Sequence, residues 1–336
     1  MEATYILPIR RIQLDEDIDE LTNYLYWLAD QVEVIVVDGS PCDIFAIHHA
    51  VWDSCVMHIP PDSDVQATNG KVKGVLTGLR RARYERVVIA DEDVRYDAIS
   101  LTRLVALLEQ AHVVRPQNYF DPLPWHAHWD TGRTLLNRMT GGDWPGTLGT
   151  RLSILKATGG YDGEALFENL ELVRTIRAAG GRELIALDLF VQRKPPSSRH
   201  FWSQRIRQAY DEFARPARLA VSLAVLPLAL LLTLRRRWIL LIVVIATIIG
   251  LAEMGRQRGR GQVVFPFTAS LLAPAWVMER AVCIWLALGM RLFLGGVPYQ
   301  GTVLTHVATS EKVLRERHAD ISLRNSKTPL PEMRVM

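Results

Sequence analysis

The chain has 336 residues, 49% of them hydrophobic, with a mean hydropathy of +0.08, which is high for a wholly soluble protein and long enough for one large domain plus a further region. Its 39 basic and 36 acidic residues leave a net charge of +3, so the whole-chain balance gives no case for nucleic acid as a partner. Three scattered cysteines, Cys42, Cys55 and Cys283, lack C-x-x-C spacing, which argues against a disulfide framework or a zinc site and for a reducing compartment.

Residues 1–11 carry acidic Glu2 and no long apolar core, so no secretory signal is expected and the N-terminal domain is expected in the cytoplasm. Residues 4–9 read as a short strand ending in Pro8, Ile9 and Arg10. Residues 18–30 have helical spacing through Ile18, Leu21, Leu25 and Leu28. A second strand, 32–37, stops at the turn Asp38-Gly39-Ser40-Pro41. A third, 55–59, leads through a polar loop to Gly70-Lys71-Val72-Lys73-Gly74 and a helix over 75–83.

Next comes R-V-V-I-A-D-E-D-V-R-Y-D, residues 86–97: four apolar residues of a buried strand running into three carboxylates. At such a strand end Asp91 and Asp93 point to one side and Glu92 to the other. Two hard oxygen ligands suit Mg²⁺ or Mn²⁺ shared with the phosphates of a substrate; taken alone, the same triplet also fits a solvated acidic turn. The alternation of strands and helices predicts an α/β fold with a parallel, doubly wound sheet. In such sheets ligands bind beyond the carboxyl ends of the strands, which puts Arg10, Asp38 and Asp91 along one edge.

A helix over 98–110 and a strand over 111–116 follow. Residues 117–129, rich in Pro, His and aromatics, read as an irregular loop that either meets a substrate or packs on itself. His126 and His128 alternate there, a weak metal pair without a third ligand. A helix over 131–139, a strand over 147–151, a helix from Leu166-Phe167-Glu168-Asn169-Leu170-Glu171 to Ala179 and a strand over 183–191 complete the pattern. After a basic, Pro- and Ser-rich stretch, 192–200, Phe201, Gln204 and Gln208 fall on one helical face with Arg207 beside them.

Taken together these pieces resemble the family 2 glycosyltransferases, inverting enzymes with the A-type nucleotide-sugar fold, and in particular their membrane-anchored bacterial members. The resemblance covers roughly residues 4–215, with the apolar region beyond also typical of that subgroup. It implies a mostly parallel nucleotide-binding sheet followed by C-terminal transmembrane helices. By the same resemblance, Pro8 to Arg10 wrap the base of a nucleotide, Asp38 in V-V-D-G-S holds that base, and Gly70-Lys71 to Gly78 lie near the diphosphate. Asp91-Glu92-Asp93 looks like the D-x-D motif, whose carboxylates meet the ribose and a divalent metal, Mn²⁺ or Mg²⁺, with Asp91 and Asp93 as metal ligands.

Two departures shape what is carried over. Where the family has Glu-Asp, with the aspartate as base, this chain has Glu168-Asn169, and an amide takes no proton at neutral pH; Glu168 is the first choice for the base and Glu171 the second. Where membrane members carry Q-x-x-R-W, this chain reads Gln204-Arg205-Ile206-Arg207-Gln208, keeping Gln204 and Arg207 but not the Trp.

Residues 217–234 and 238–252 are almost uncharged, with Arg235-Arg236-Arg237 between them; the first is long enough for a span and the second short. Residues 263–294, interrupted by Pro266, Pro274, Glu279 and Arg280, read as one tilted span, a re-entrant pair or an interfacial helix. The polar tail, 310–336, reads as partly disordered. The protein is expected in the cell membrane, with a cytoplasmic catalytic domain over 1–215, a multi-pass membrane region over 216–296 with two to four helical segments, and a polar tail over 297–336. The expected activity moves a sugar from a nucleotide diphosphate donor, a UDP-sugar first among them, to a lipid or lipid-linked hydroxyl, with Glu168 as base and Asp93 acting through the metal. Two alternatives stand beside it: a polyprenyl-phosphate sugar synthase, whose acceptor needs little help from a base, and an inactive membrane scaffold of the same fold.

Overall fold

Alternation along the first strand, β1 (Ala3–Ile9), sends Ala3, Tyr5, Leu7 and Ile9 to one side of a sheet and Ile6 to the other, the period-two pattern of a strand buried on both faces. The computed structural model describes residues 1–13, 18–299, 302–304 and 306–327. After β1 come α1 (Ile18–Ala29), β2 (Glu33–Asp38), α2 (Cys42–Trp52), β3 (Met57–Ile59), α3 (Gly70–Arg81), β4 (Arg86–Ala90), β5 (Val94–Arg95), α4 (Ala98–Leu107) and β6 (Val113–Phe120). Then follow α5 (Trp125–Thr140), β7 (Thr147–Arg151), α6 (Leu152–Ala157), α7 (Glu168–Ala178), β8 (Glu183–Arg193) and two short helices, α8 (Ser198–Ser203) and α9 (Arg205–Tyr210).

The strands form one sheet in the order β3-β2-β1-β4-β7-β6-β8-β5. Pairs β1/β2, β1/β4, β2/β3 and β6/β8 are parallel, whereas β4/β7, β6/β7 and β5/β8 are antiparallel. The sheet is thus mostly parallel, as expected, with β7 inserted against the run between β4 and β6 and β5 running against β8. One face carries α1, α2 and α4 through Leu21, Leu25, Trp52 and Leu104; the other carries α3, α6 and α7 through Val72, Val75, Leu155 and Ile176.

Two local readings change. Residues 42–52, passed over in the sequence, form α2, whose buried positions are Ile44, His48 and Trp52; a histidine in the middle of the stripe hides its period. Residues 117–129 are not an irregular loop. β6 continues through Phe120 by pairing with β8 across a register shift between Arg115 and Gln117, which accommodates Pro116 and its missing N–H. α5 then opens at Trp125 directly after Pro124.

Beyond α9 lie α10 (Pro216–Leu234), α11 (Trp238–Gln257) and α12 (Phe267–Leu294), all long and apolar enough to cross a membrane, followed by the β9 (Val297–Tyr299) and β10 (Thr302–Leu304) hairpin and α13 (Glu311–Lys327). The tail expected to be partly disordered is therefore helical over Glu311–Lys327, while 328–336 lie outside the described residues. α12 is joined to the α/β domain by a buried ionic knot: Arg205 donates to both carboxylate oxygens of Glu279 at 2.9 and 2.6 Å and to Asp130 Oδ1 at 2.8 Å, and Trp129 Nε1 donates to Glu279 Oε2 at 3.1 Å. Arg205→Met would leave Glu279 facing an apolar stem with its charge uncompensated, so a loss of about 3–5 kcal/mol is expected. Thermal unfolding of the two proteins in the same detergent checks it, and an unchanged midpoint would contradict the knot.

Candidate active site

The carboxyl ends of β1, β2 and β4, with the ends of β6 and β8 beside them, ring a cleft of about 1670 Å³. Pro8, Arg10, Asp38, Lys71, Asp91, Glu92, Asp93, Gln204 and Arg207 all line it, so nine of the residues singled out in the sequence meet in one space. They get there by separate routes. Lys71 is set by α3, whose N-terminus is capped by Asn69, its Oδ1 accepting from the Lys71 and Val72 N–H groups. Gly74 and Gly78, one turn apart, let α3 press onto β1: a Cβ would lie 2.8 Å from the Pro8 side chain at Gly74 and 2.6 Å from Ile6 at Gly78. The glycines of that segment therefore serve helix packing, and Lys71 alone of the segment's named residues makes the ionic contacts.

Lys71 Nζ lies 2.5 Å from Asp91 Oδ1 and 2.8 Å from Glu168 Oε1, joining the end of β4 to the first turn of α7. Burial would lower the ammonium pKa, but the two carboxylates outweigh it and raise it well above the ordinary lysine range. Arg193, at the end of β8, donates from Nε to Asp93 Oδ2 at 2.8 Å and from Nη2 to Asp91 Oδ2 at 3.4 Å. Asp93 Oδ1 is buried and has no hydrogen-bond partner. Burial, opposed by Arg193, holds the Asp93 carboxyl above its usual pKa. Arg193 was missed in the sequence, where the only signal was a basic pair, Arg193-Lys194, following an apolar strand; its role as a bridge depends on β8 pairing with β5. Glu92 lies in the turn between β4 and β5, not in a strand, and accepts from Arg11 Nε at 3.1 Å.

Asp38 is fully buried and satisfied from within. Its Oδ2 lies 2.6 Å from His48 Nδ1 and 3.1 Å from His58 Nε2, and its Oδ1 accepts from Ser40 N–H at 2.9 Å. Burial would raise this carboxyl, yet those three donors hold it well below the usual carboxylate range. Neither histidine was singled out, since α2 was not seen. The three side chains are close enough to hold a metal ion, with ligand atoms within 4.8 Å of one another, but the Asp38 contacts have hydrogen-bond lengths.

Three expectations need correcting. Glu171, the second choice for a base, is fully buried, and its Oε2 accepts from Thr309 N–H at 2.5 Å; one position on from Leu170 in α7, it faces the chain that follows α12. His126 and His128 do not share a face, because they sit on a helix and not a strand: His126 Nε2 meets the Pro196 carbonyl at 2.8 Å and His128 Nε2 meets Thr268 Oγ1 at 2.9 Å. The single helix expected over 201–208 breaks at Gln204 into α8 and α9. Phe201, Gln204 and Gln208 still reach the cleft, and Arg207 Nε donates to Gln204 Oε1 at 2.6 Å.

Asn169 has a physical reason for being an amide. Its Nδ2 donates to the Pro145 carbonyl at 2.9 Å, where a carboxylate would meet a second acceptor. Behind Glu168 lies Asp211, whose carboxyl burial pushes up to about 7, against the pull of Arg207, Arg280 and Arg215 and with Glu168 adding to the rise. An unfolded aspartate titrates near about 4. The folded protein therefore holds a proton the unfolded chain has released between those values, and stability falls as pH rises through that window. Asp211→Asn removes this loss, so its unfolding midpoint is expected to gain on the parent between pH 5 and pH 8; a constant gap would contradict it.

No protein-family model matches the chain, and no curated protein matches it. Among solved structures, the chain is similar to the mannosyltransferase PcManGT from Pyrobaculum calidifontis in complex with GDP-Man and Mn²⁺, at 17% identity and a TM-score of 0.49 over 84% of this chain and 87% of that one. It is also similar to S. aureus TarS 1–349 in complex with UDP-GlcNAc, at 18% identity and a TM-score of 0.42 over 60% of this chain and 61% of that one. A third is glucosyl-3-phosphoglycerate synthase from Mycobacterium tuberculosis in complex with Mn²⁺, UDP and glucosyl-3-phosphoglycerate, at 18% identity and a TM-score of 0.37 over 57% of this chain and 69% of that one.

Proposed function

We propose that this chain is a membrane-bound glycosyltransferase of the A-type fold, inverting and metal-dependent, which moves a sugar from a nucleotide diphosphate donor, a UDP-sugar first among them, to a lipid or lipid-linked hydroxyl at the inner face of the cell membrane. The observation that carries the reading is the paired arrangement Lys71–Asp91 and Arg193–Asp93 at the carboxyl edge of the sheet, with Glu168 across Lys71. Cations and carboxylates alternate there over a few ångströms, which suits a diphosphate and its counterion. The buried, unpartnered Asp93 Oδ1 beside Asp91 fits a divalent cation, Mn²⁺ or Mg²⁺, with Asp93 and Asp91 holding it. Such an ion, when bound, offsets the charge that builds on the departing diphosphate.

The chain's own groups supply the rest. Pro8, Arg10 and Asp38 border the part of the cleft that would take the nucleoside, and Lys71 and Arg193 place positive charge along the diphosphate. The acceptor oxygen bonds to the anomeric carbon on the face opposite the diphosphate, the carbon–oxygen bond to the diphosphate breaks, and the acceptor's proton passes to Glu168. Glu168→Gln is expected to lower turnover of a hydroxyl acceptor by about 10²–10⁴-fold, read as initial rates of the full chain in detergent with Mn²⁺ and a panel of nucleotide sugars. If no nucleotide sugar binds or turns over in the parent, the reading fails.

One observation favours a second acceptor. Glu168 Oε1 already accepts from Lys71 Nζ at 2.8 Å, so an acceptor hydroxyl would have to share that oxygen with the ammonium. A polyprenyl phosphate oxygen, already ionised, needs no base, so with that acceptor Glu168→Gln would retain turnover. Mass spectrometry of the lipid product separates the two.

A further inference from the structure

Among the described residues three helices are long enough to cross a bilayer, yet the chain before and after them touches the same α/β domain. α10 begins at Pro216, where Arg174 of α7 donates to the Ala214 carbonyl at 2.9 Å and Arg218 donates to Asn137 Oδ1 of α5 at 3.0 Å. After α12, Leu166 N–H donates to the His306 carbonyl at 3.1 Å, Phe167 N–H to the Val307 carbonyl at 2.9 Å, and Thr309 N–H to Glu171. A chain that leaves one side of a membrane and returns to it crosses an even number of times.

The helices themselves show which one does not cross. α10 buries no residue, and α11 buries only Ala252 and Gly255, close to its end. They form a hairpin of 19 and 20 residues, each about 28–30 Å long at 1.5 Å per residue, against a hydrocarbon core of about 30 Å. α12 instead lies along the domain for its whole length. Near its start Ala273 packs on Gly132 of α5, in its middle Glu279 is held by Arg205, and near its end Arg291 donates to Tyr210 at 3.3 Å. Its other face exposes Leu271, Val282, Trp285, Leu286 and Phe293. Its protein-bound face is mostly small and apolar, Ala269, Ala273, Ala281 and Ala287, with Ser270, Glu279 and Arg280 as polar anchors, so the helix is seated on the domain along one side and offers an apolar side to lipid.

We propose that the membrane region crosses the bilayer twice, through α10 and α11, and that α12 lies in the plane of the bilayer interface between the lipid and the α/β domain. The triplet Arg235-Arg236-Arg237 then stands at the far face, where its guanidinium groups reach lipid phosphates. Trp202, exposed and with its ring centroid 6.0 Å from that of the exposed Trp125, meets Trp129, which is bonded to Glu279, so this aromatic cluster marks the same interface. Phe201, beside Trp202, lines the cleft, whose mouth therefore opens at the lipid surface. The topology stands independently of which reaction the cleft performs.

The test uses the full chain in sealed proteoliposomes of phosphatidylethanolamine and phosphatidylglycerol, on a background of Cys42→Ser, Cys55→Ser and Cys283→Ala. Single cysteines Glu2→Cys, Arg236→Cys and Ser310→Cys are labelled with an impermeant maleimide. Positions 2 and 310 are expected on the same side and 236 on the opposite one; position 310 opposite position 2 would overturn the proposal. Depth is read separately with spin labels at Leu271→Cys, Val282→Cys and Phe293→Cys, which share the exposed face. All three are expected at similar shallow depths, about 5–10 Å below the lipid phosphates. A label on Val282 at the bilayer centre with the other two shallow would overturn it as well.

Discussion

Asp93→Asn is expected to lower sugar transfer by about 10²–10⁴-fold, several kcal/mol of lost charge stabilisation at about 1.4 kcal/mol per tenfold. The substitution keeps the volume of the side chain and removes its charge. Arg193 then loses its 2.8 Å carboxylate partner and keeps only Asp91 at 3.4 Å. The buried carboxylate oxygen without a partner, Asp93 Oδ1, becomes part of a neutral amide, a poorer ligand for a divalent cation. Initial rates over a range of Mn²⁺ concentration check it, alongside donor binding by calorimetry and an unfolding midpoint to show that the fold survives. Turnover within about tenfold of the parent at saturating Mn²⁺ would remove Asp93 from the chemistry.

Gly255→Ala is expected to be the most damaging small substitution among the long apolar helices. α5 runs between α11 and α12, and the helices meet it backbone to backbone. A Cβ on Gly255 would stand 1.9 Å from the Leu135 carbonyl oxygen, 2.9 Å from its carbon and 3.0 Å from the Met139 nitrogen. None of these atoms belongs to a flexible side chain, so α11 has to move away. Moving it also strains the buried Arg138, whose guanidinium donates to the Gly255 and Leu187 carbonyls at 3.2 and 3.0 Å and to the Arg258 carbonyl. A loss of about 3 kcal/mol or more is expected, the upper end of what overpacking costs. Gly132→Ala is the graded control: its Cβ would lie 3.0 Å from Ala273 Cα and 3.1 Å from Ala273 N, a contact that a shift of a few tenths of an ångström relieves. Unfolding midpoints of both variants in one detergent should fall in that order, and a Gly255→Ala midpoint equal to the parent's would contradict the packing.

Asp93 and Gly255 differ in how much their neighbours along the chain reveal about them. Asp91 and Asp93 were legible because strand ends follow directly from local hydrophobic pattern, and a run of four apolar residues ending in carboxylates becomes a ligand-bearing edge once Asp38 and Lys71 fall beside it on the same sheet. Gly255 was invisible, since nothing around it in the chain announces that another helix will touch its backbone. Arg193 and the histidines around Asp38 lay between these cases. Their types were plain in the sequence, but their partners are 100, 10 and 20 residues away and are brought close only by strand pairing and by α2.

By itself, the sequence determined the alternation of strands and helices, the carboxylate-ended strand and the apolar region after residue 215, because each depends on the chemistry of neighbours within a few residues. Only the tertiary structure decided that β7 runs against its neighbours, that Glu171 serves the segment after α12 and that Glu168 is bound by Lys71. It alone also decided that α12 follows the α/β domain while α10 and α11 leave it. Apolar length is a property of one segment, whereas the surface a helix lies on depends on ion pairs such as Arg205–Glu279, whose members stand 74 residues apart.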